Sequence, residues 1–205
     1  MAPDTVELIK LILFFVAFCT PVLVLIVFIY NIHVLYRIPW LKFAREHGLD
    51  QEDRQLNGIA VHGEHQGRRI KAGFNVYENS RGLRQSEYFY EIALSESFPY
   101  SIQVRARPRF GGSSLGSTPS GNKKLDRKVI IDGAHTPALK HWLSRPDTQQ
   151  ALLAMHTLSP LIELRGGMLT YRRPINYIGG PGGLRGFRKF QALATRIERT
   201  LTSPA

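Results

Sequence analysis

The 205-residue chain carries 27 Lys and Arg against 16 Asp and Glu, a formal net charge of +11. Its one cysteine, Cys19, lies in an apolar run, so no disulfide forms within the chain. A cysteine nucleophile or cysteine-based metal site in the polar part is likewise excluded. From Asn57 onward the excess grows, with 22 Lys and Arg against 10 Asp and Glu, which points to an anionic partner.

Leu11 to Tyr30 contains no charged residue and predicts a helix. At roughly 1.5 Å per residue, about 20 residues match a bilayer core of about 30 Å, so a transmembrane anchor is expected. The run exceeds the roughly 7–15 apolar residues of a cleaved signal, its leader is net acidic, and no small-residue cleavage site follows. Asp4 and Glu7 precede the run, whereas Arg37, Lys42 and Arg45 follow it. Basic flanks stay on the cytoplasmic side, so the expectation is a single-pass protein of the inner membrane with its N-terminus outside and its domain cytoplasmic. Tyr30, Tyr36 and Trp40 fit headgroup-level anchors. Pro21 predicts a modest kink, with Thr20 near the carbonyl of Ala17 that loses its donor.

Pro39 to His47 predicts an interfacial helix, with Trp40, Phe43 and Ala44 facing lipid while Lys42 and Arg45 snorkel; Asp50 to Arg54 is a polar connector. From Gly58 the apolar period changes to two. Ile59 and Val61, then Ile70, Ala72, Phe74 and Val76, predict a hairpin turning at His62–Gly67. Further strands are expected over Tyr88–Leu94 and Tyr100–Arg107. Phe110 to Lys124 is rich in glycine and serine and reads as a loop. A short strand at Val129–Ile131 precedes helices over Pro137–Leu143 and Asp147–Leu158. Gly166–Gly167 between Leu161–Arg165 and Met168–Arg172 is a hairpin signal, because both turn positions need positive φ. Phe190, Leu193, Ala194, Ile197 and Leu201 fall on one stripe of a last helix over Phe187–Leu201.

Strands first and helices late predict an α+β fold, a single transmembrane helix followed by an antiparallel sheet with helices on one face. Three segments follow: an anchor over 1–36, an interfacial helix and linker over 37–56, and a basic domain over 57–205. The stretch AREHGL, the hairpin GIAVHGEHQGRRIKAGF, the strand DRKVIIDG and the run PLIELRGGMLTY together resemble membrane-anchored bacterial proteins of unassigned function. That resemblance implies no catalytic residue.

Candidate chemistry is sparse. His62 and His65 lack the helical one-turn spacing of a zinc-binding His-Glu-x-x-His motif, and no histidine set supplies four ligands, so no metal is expected. His33 is the one cofactor candidate. Its NIHVLYRIPWL setting looks like pigment-binding single-helix antenna subunits, which implies a pigment-associated accessory role, against an interfacial polar residue. No Gly-x-Ser-x-Gly elbow or singled-out carboxylate pair is present, so no enzyme and no cofactor are expected. The glycine-rich 179–186 run leads into a helix start, where backbone N–H groups hold phosphate in other folds, but it lacks the Gly-Lys-Ser/Thr ending of a P-loop. Arg105, Arg107 and Arg109, with Arg185, Arg188 and Lys189, join Arg37, Lys42 and Arg45 as the anion- or lipid-facing set. The expected role is a non-catalytic accessory subunit docking on a larger membrane-protein complex. An anionic-lipid module and a phosphate-binding enzyme are the alternatives, and nucleic acid is disfavoured because aromatics are not interleaved with the bases.

Overall fold

A computed structural model describes residues 3–31, 37–53, 58–78, 80–94, 102–107, 117–133, 136–175 and 182–202. The chain divides into two compact units, Met1–Pro39 and Trp40–Ala205.

The first unit is built on helix α1 (Pro3–Asn31), which continues through Pro21. Thr20 Oγ1 donates to the carbonyl of Val16 at 2.7 Å, not to that of Ala17. The expected membrane span is corrected here: among the described residues no helix is long and apolar enough to cross a membrane. A span needs about 20 predominantly apolar residues to match a hydrocarbon core of about 30 Å, and no described helix meets that condition. The assignment of a single transmembrane helix falls with it.

The second unit is α+β. Its strands are β1 (Asp50–Asp53), β2 (Gly58–His65), β3 (Arg68–Glu78), β4 (Arg84–Ala93), β5 (Ile102–Ala106), β6 (Val129–Gly133), β7 (Ile162–Arg165) and β8 (Met168–Pro174). Its helices are α2 (Ile38–His47) from Trp40 onward, α3 (Lys123–Asp126), α4 (Pro137–Ser144), α5 (Pro146–Leu158) and α6 (Gly183–Thr202). The eight strands form one sheet in the order β1-β2-β3-β4-β8-β7-β5-β6, with every pairing antiparallel. The late hairpin β7–β8 thus joins the β1–β4 meander to the β5–β6 pair. Its turn puts Gly166 and Gly167 at φ 52° and 79°, a conformation costly for a residue with a Cβ.

Period-two alternation fixes which face is buried. Val61, Ala72, Tyr90, Tyr171 and Ile162 lie opposite one another in one row; Ile70, Ile92, Leu169, Leu164, Val104 and Ile131 form the next. All are buried, with α6 packed on β3 and β4 and α5 on β7. The opposite face carries the row Lys71, Glu91, Thr170 and Glu163. Phe89 also belongs to it yet is only 8 % exposed. Its cross-strand partner Arg172 reaches Glu87 Oε1 at 3.4 Å and Glu91 Oε1 at 3.1 Å, which draws the arginine stem across the ring's row.

Four local expectations are revised. Trp40, Phe43 and Ala44 are core residues of this unit, with Trp40 only 1 % exposed and its ring 5.5 Å from that of Phe187 and 6.2 Å from that of Tyr90. The apolar side of α2 faces protein, so Trp40 does not stand at a lipid interface. Asp50–Asp53 is an edge strand paired with β2, not a connector. The β2–β3 turn is confined to Gln66 and Gly67, at φ 55° and 72°, so His62 to His65 extend β2. Helix α6 begins at Gly183, four residues before Phe187.

Candidate anion-binding surface

Helix α6 separates two chemistries by spacing alone. Phe187, Phe190, Ala194 and Ile197, at steps of three and four, are fully buried. Arg185, Lys189, Ala192, Arg196 and Arg199 recur at the same steps on the outer side, with Arg188 beside them, and all are exposed. Five cations therefore line about 21 Å of helix at 1.5 Å per residue.

The only acid in α6 is Glu198, and it is withdrawn from that line. Arg68, at the start of β3, donates from Nε to Glu198 Oε1 at 3.1 Å and pairs Nη2 with Oε2, while Nη1 reaches Thr195 Oγ1 at 3.0 Å. The two charged side chains are 13 % and 15 % exposed, so this pair is sheltered and the outer stripe is not neutralised by it. Arg196 spends one nitrogen on Gln150 Oε1 at 3.3 Å. Arg185, Arg188 and Lys189 form no ion pair among the described residues.

The first turn of α6 contains no acid. Cations there sit at the positive end of the helix dipole, which disfavours each by a few tenths of a kcal/mol to about 1 kcal/mol, and a bound anion relieves that repulsion. Arg173 belongs to the same corner. Its guanidinium lies 5.5 Å over the Tyr88 ring, and a Cβ on Gly182 would stand 3.1 Å from Tyr88 Cε2 and 3.4 Å from Arg173 Nη2. The Tyr90 hydroxyl donates to the carbonyl of Gly183 at 2.8 Å, tying the helix start to the sheet.

The anion-facing set expected from the sequence is dispersed. Arg185, Arg188 and Lys189 share the α6 surface. Arg105 lies on the opposite face of the sheet and pairs with Asp132 at 3.3 Å. Arg107 is half-buried and donates from Nε to the carbonyl of Asp126 at 3.0 Å. Arg37 is half-buried, Arg45 is exposed, and Lys42 pairs with Glu46 at 3.8 Å one helical turn away. His33, Tyr36, Arg109 and residues 176–181 of the glycine-rich approach lie outside the described residues, as does the side chain of Tyr30.

The histidines gather differently from expectation. The His47 and His65 rings are 4.4 Å apart, and both stand edge-on to Phe43. Burial, then the neighbouring His47 charge, lowers the pKa of His65 below its ordinary value. Among the described residues no group of three His, Cys, Asp or Glu is placed to hold a metal ion. The cation spacing on α6 was readable in the chain; the Arg68–Glu198 pair that withdraws the helix's one acid carried no local signal. Comparison with protein-family models, with curated proteins and with solved structures finds no match.

Proposed function

We propose that the Trp40–Ala205 unit is a non-catalytic docking module that seats the outer face of α6 on a phosphate-bearing lipid surface. The observation that carries the reading is the five-cation stripe on α6, whose one acid is engaged by Arg68. A flat array of phosphates complements a straight line of cations, and each base near such a surface contributes about 1 kcal/mol. Protein interfaces place aromatic and apolar anchors at their centre, and this face offers only Ala192 there. That favours headgroups over docking on a protein complex. Nucleic acid is disfavoured for a related reason, since the stripe presents no aromatic ring for base stacking.

Flotation of the full chain with vesicles tests it. Phosphatidylcholine alone is compared with phosphatidylcholine containing phosphatidylglycerol, at about 0.1 M and about 1 M salt, where the Debye length shrinks from about 10 Å to about 3 Å. The proposal requires binding that rises with the anionic fraction and collapses at high salt. Equal recovery on both vesicles at both salts would remove it.

A further inference from the structure

A second polar site lies away from α6, at the edge of the sheet formed by β6. A cavity of about 130 Å³ opens between the end of β5, the segment 117–120 and the inner strand residues Val129 and Ile131. Its polar walls are Arg107, Asp126, Ser117 and Thr118. The wall is built rather than incidental. Ser117 bridges to Asp132, the Thr118 N–H donates to the Ile131 carbonyl at 2.7 Å, and Thr118 and Ser120 are only 2 % and 3 % exposed.

Both charged groups are held by bonds that leave their far ends unspent. The Arg107 N–H donates to the Lys128 carbonyl at 2.8 Å and its Nε to the Asp126 carbonyl at 3.0 Å. Nη1 and Nη2 have no hydrogen-bond partner among the described residues. Asp126 Oδ1 accepts from the Ser120 N–H at 2.9 Å and from Ser120 Oγ at 2.7 Å, while Oδ2 accepts from none of the described residues. A fixed guanidinium fork therefore stands near a carboxylate with a free acceptor. An ionised carboxylate only accepts, and a guanidinium only donates.

From this arrangement we infer that the cavity is a binding site for a protonated phosphate group, with Arg107 donating to its ionised oxygens and Asp126 accepting its P–OH proton. The local field admits an anion, because Lys123, Lys124, Arg127 and Lys128 lie within a few residues and Asp126 is the single acid among them. Sulfate is a matched decoy. It has the same tetrahedral shape, but it carries no proton near neutral pH and would set one acceptor against another, an unpaired contact in a part-buried site. The site is independent of the α6 stripe, which has no carboxylate and no reason to prefer phosphate over sulfate.

Isothermal titration of the full chain at about pH 6.5 tests this with three arms: inorganic phosphate, sulfate and a small phosphomonoester at matched ionic strength. Phosphate should bind at least about tenfold more tightly than sulfate, a gap of 1.4 kcal/mol. Binding of the phosphomonoester would identify an esterified source; its exclusion would confine the site to the free ion. Arg107→Gln should abolish phosphate binding. Asp126→Asn keeps an acceptor for Ser120 but adds a donor, and should bring sulfate up to the level of phosphate. Equal phosphate and sulfate affinities in the parent protein, or a phosphate isotherm that persists in Arg107→Gln, would overturn the assignment. If Arg107→Gln fails to fold, the sulfate response of Asp126→Asn decides the question alone.

Discussion

Glu198→Gln isolates the device that leaves the α6 stripe positive. The Arg68–Glu198 pair is doubly hydrogen-bonded and about 85 % shielded from solvent on both sides. Exposed pairs contribute about 0–1 kcal/mol, whereas removing one partner of a fully buried pair costs about 3–5 kcal/mol. A sheltered but not sealed pair falls between, so the substitution should cost about 2 kcal/mol. The bond from Arg68 to Thr195 survives it. For a chain of this size that corresponds to a fall in Tm of about 4–8 °C. Arg68→Gln should cost a similar amount, and the double variant less than the sum, with a coupling energy of about 1–2 kcal/mol. Vesicle binding separates the two single variants. Glu198→Gln removes the only negative charge on α6 and should strengthen binding to anionic vesicles. Arg68→Gln releases that charge toward the stripe and should weaken binding about fivefold, near 1 kcal/mol. Thermal denaturation of the four proteins gives the cycle, and flotation gives the binding. A coupling energy near zero, or two single variants that move binding the same way, would refute the reasoning.

Three further outcomes follow from the core and the histidines. Burial and the His47 charge lower the His65 pKa in the fold, and burial followed by the Lys128 charge does the same for His156. The folded state thus favours neutral imidazole. Stability contributed by these groups is present above the unfolded value near 6.5 and is lost as pH falls from there through the lowered folded values, so Tm should drop below about pH 6.5 and His65→Gln should flatten that slope. Trp40→Ala should cost about 3–5 kcal/mol in denaturant unfolding, as for a core aromatic, where a lipid-interface tryptophan would cost little in the absence of lipid. Gly73→Ala would drive a Cβ into the carbonyl of Ile59 on β2, and should lower Tm by several degrees without changing vesicle binding.

What was legible in the chain is what local spacing encodes. The Gly166–Gly167 turn announced itself because two adjacent positive φ values need glycine. Helix α6 showed both its faces, apolar at Phe190, Ala194 and Ile197 and basic at Arg185, Lys189 and Arg196, because 3.6-residue periodicity needs no tertiary information. Trp40 and Phe43 were legible as an apolar helix face, but not as core, since amphipathic spacing does not say whether lipid or protein covers it. Strand β1 was invisible because Asp50, Gln51, Glu52 and Asp53 have no apolar alternation; its pairing to β2 is a backbone property of an acidic edge. The charge-free run was readable as helix α1, while its reading as a membrane span is not sustained. The Arg68–Glu198 pair and the joint placement of Arg107 with Asp126 depend on sheet order, which no window of neighbouring residues contains.

The most direct test of the docking assignment is the affinity of the full chain for phosphatidylglycerol-containing vesicles, measured for the parent and for the Arg185→Gln, Arg188→Gln, Lys189→Gln variant. Three charges at about 1 kcal/mol each predict a loss of about 100-fold at low salt, with no change on pure phosphatidylcholine. An affinity for the anionic vesicles within about twofold of the parent would contradict the assignment of α6 as the docking surface.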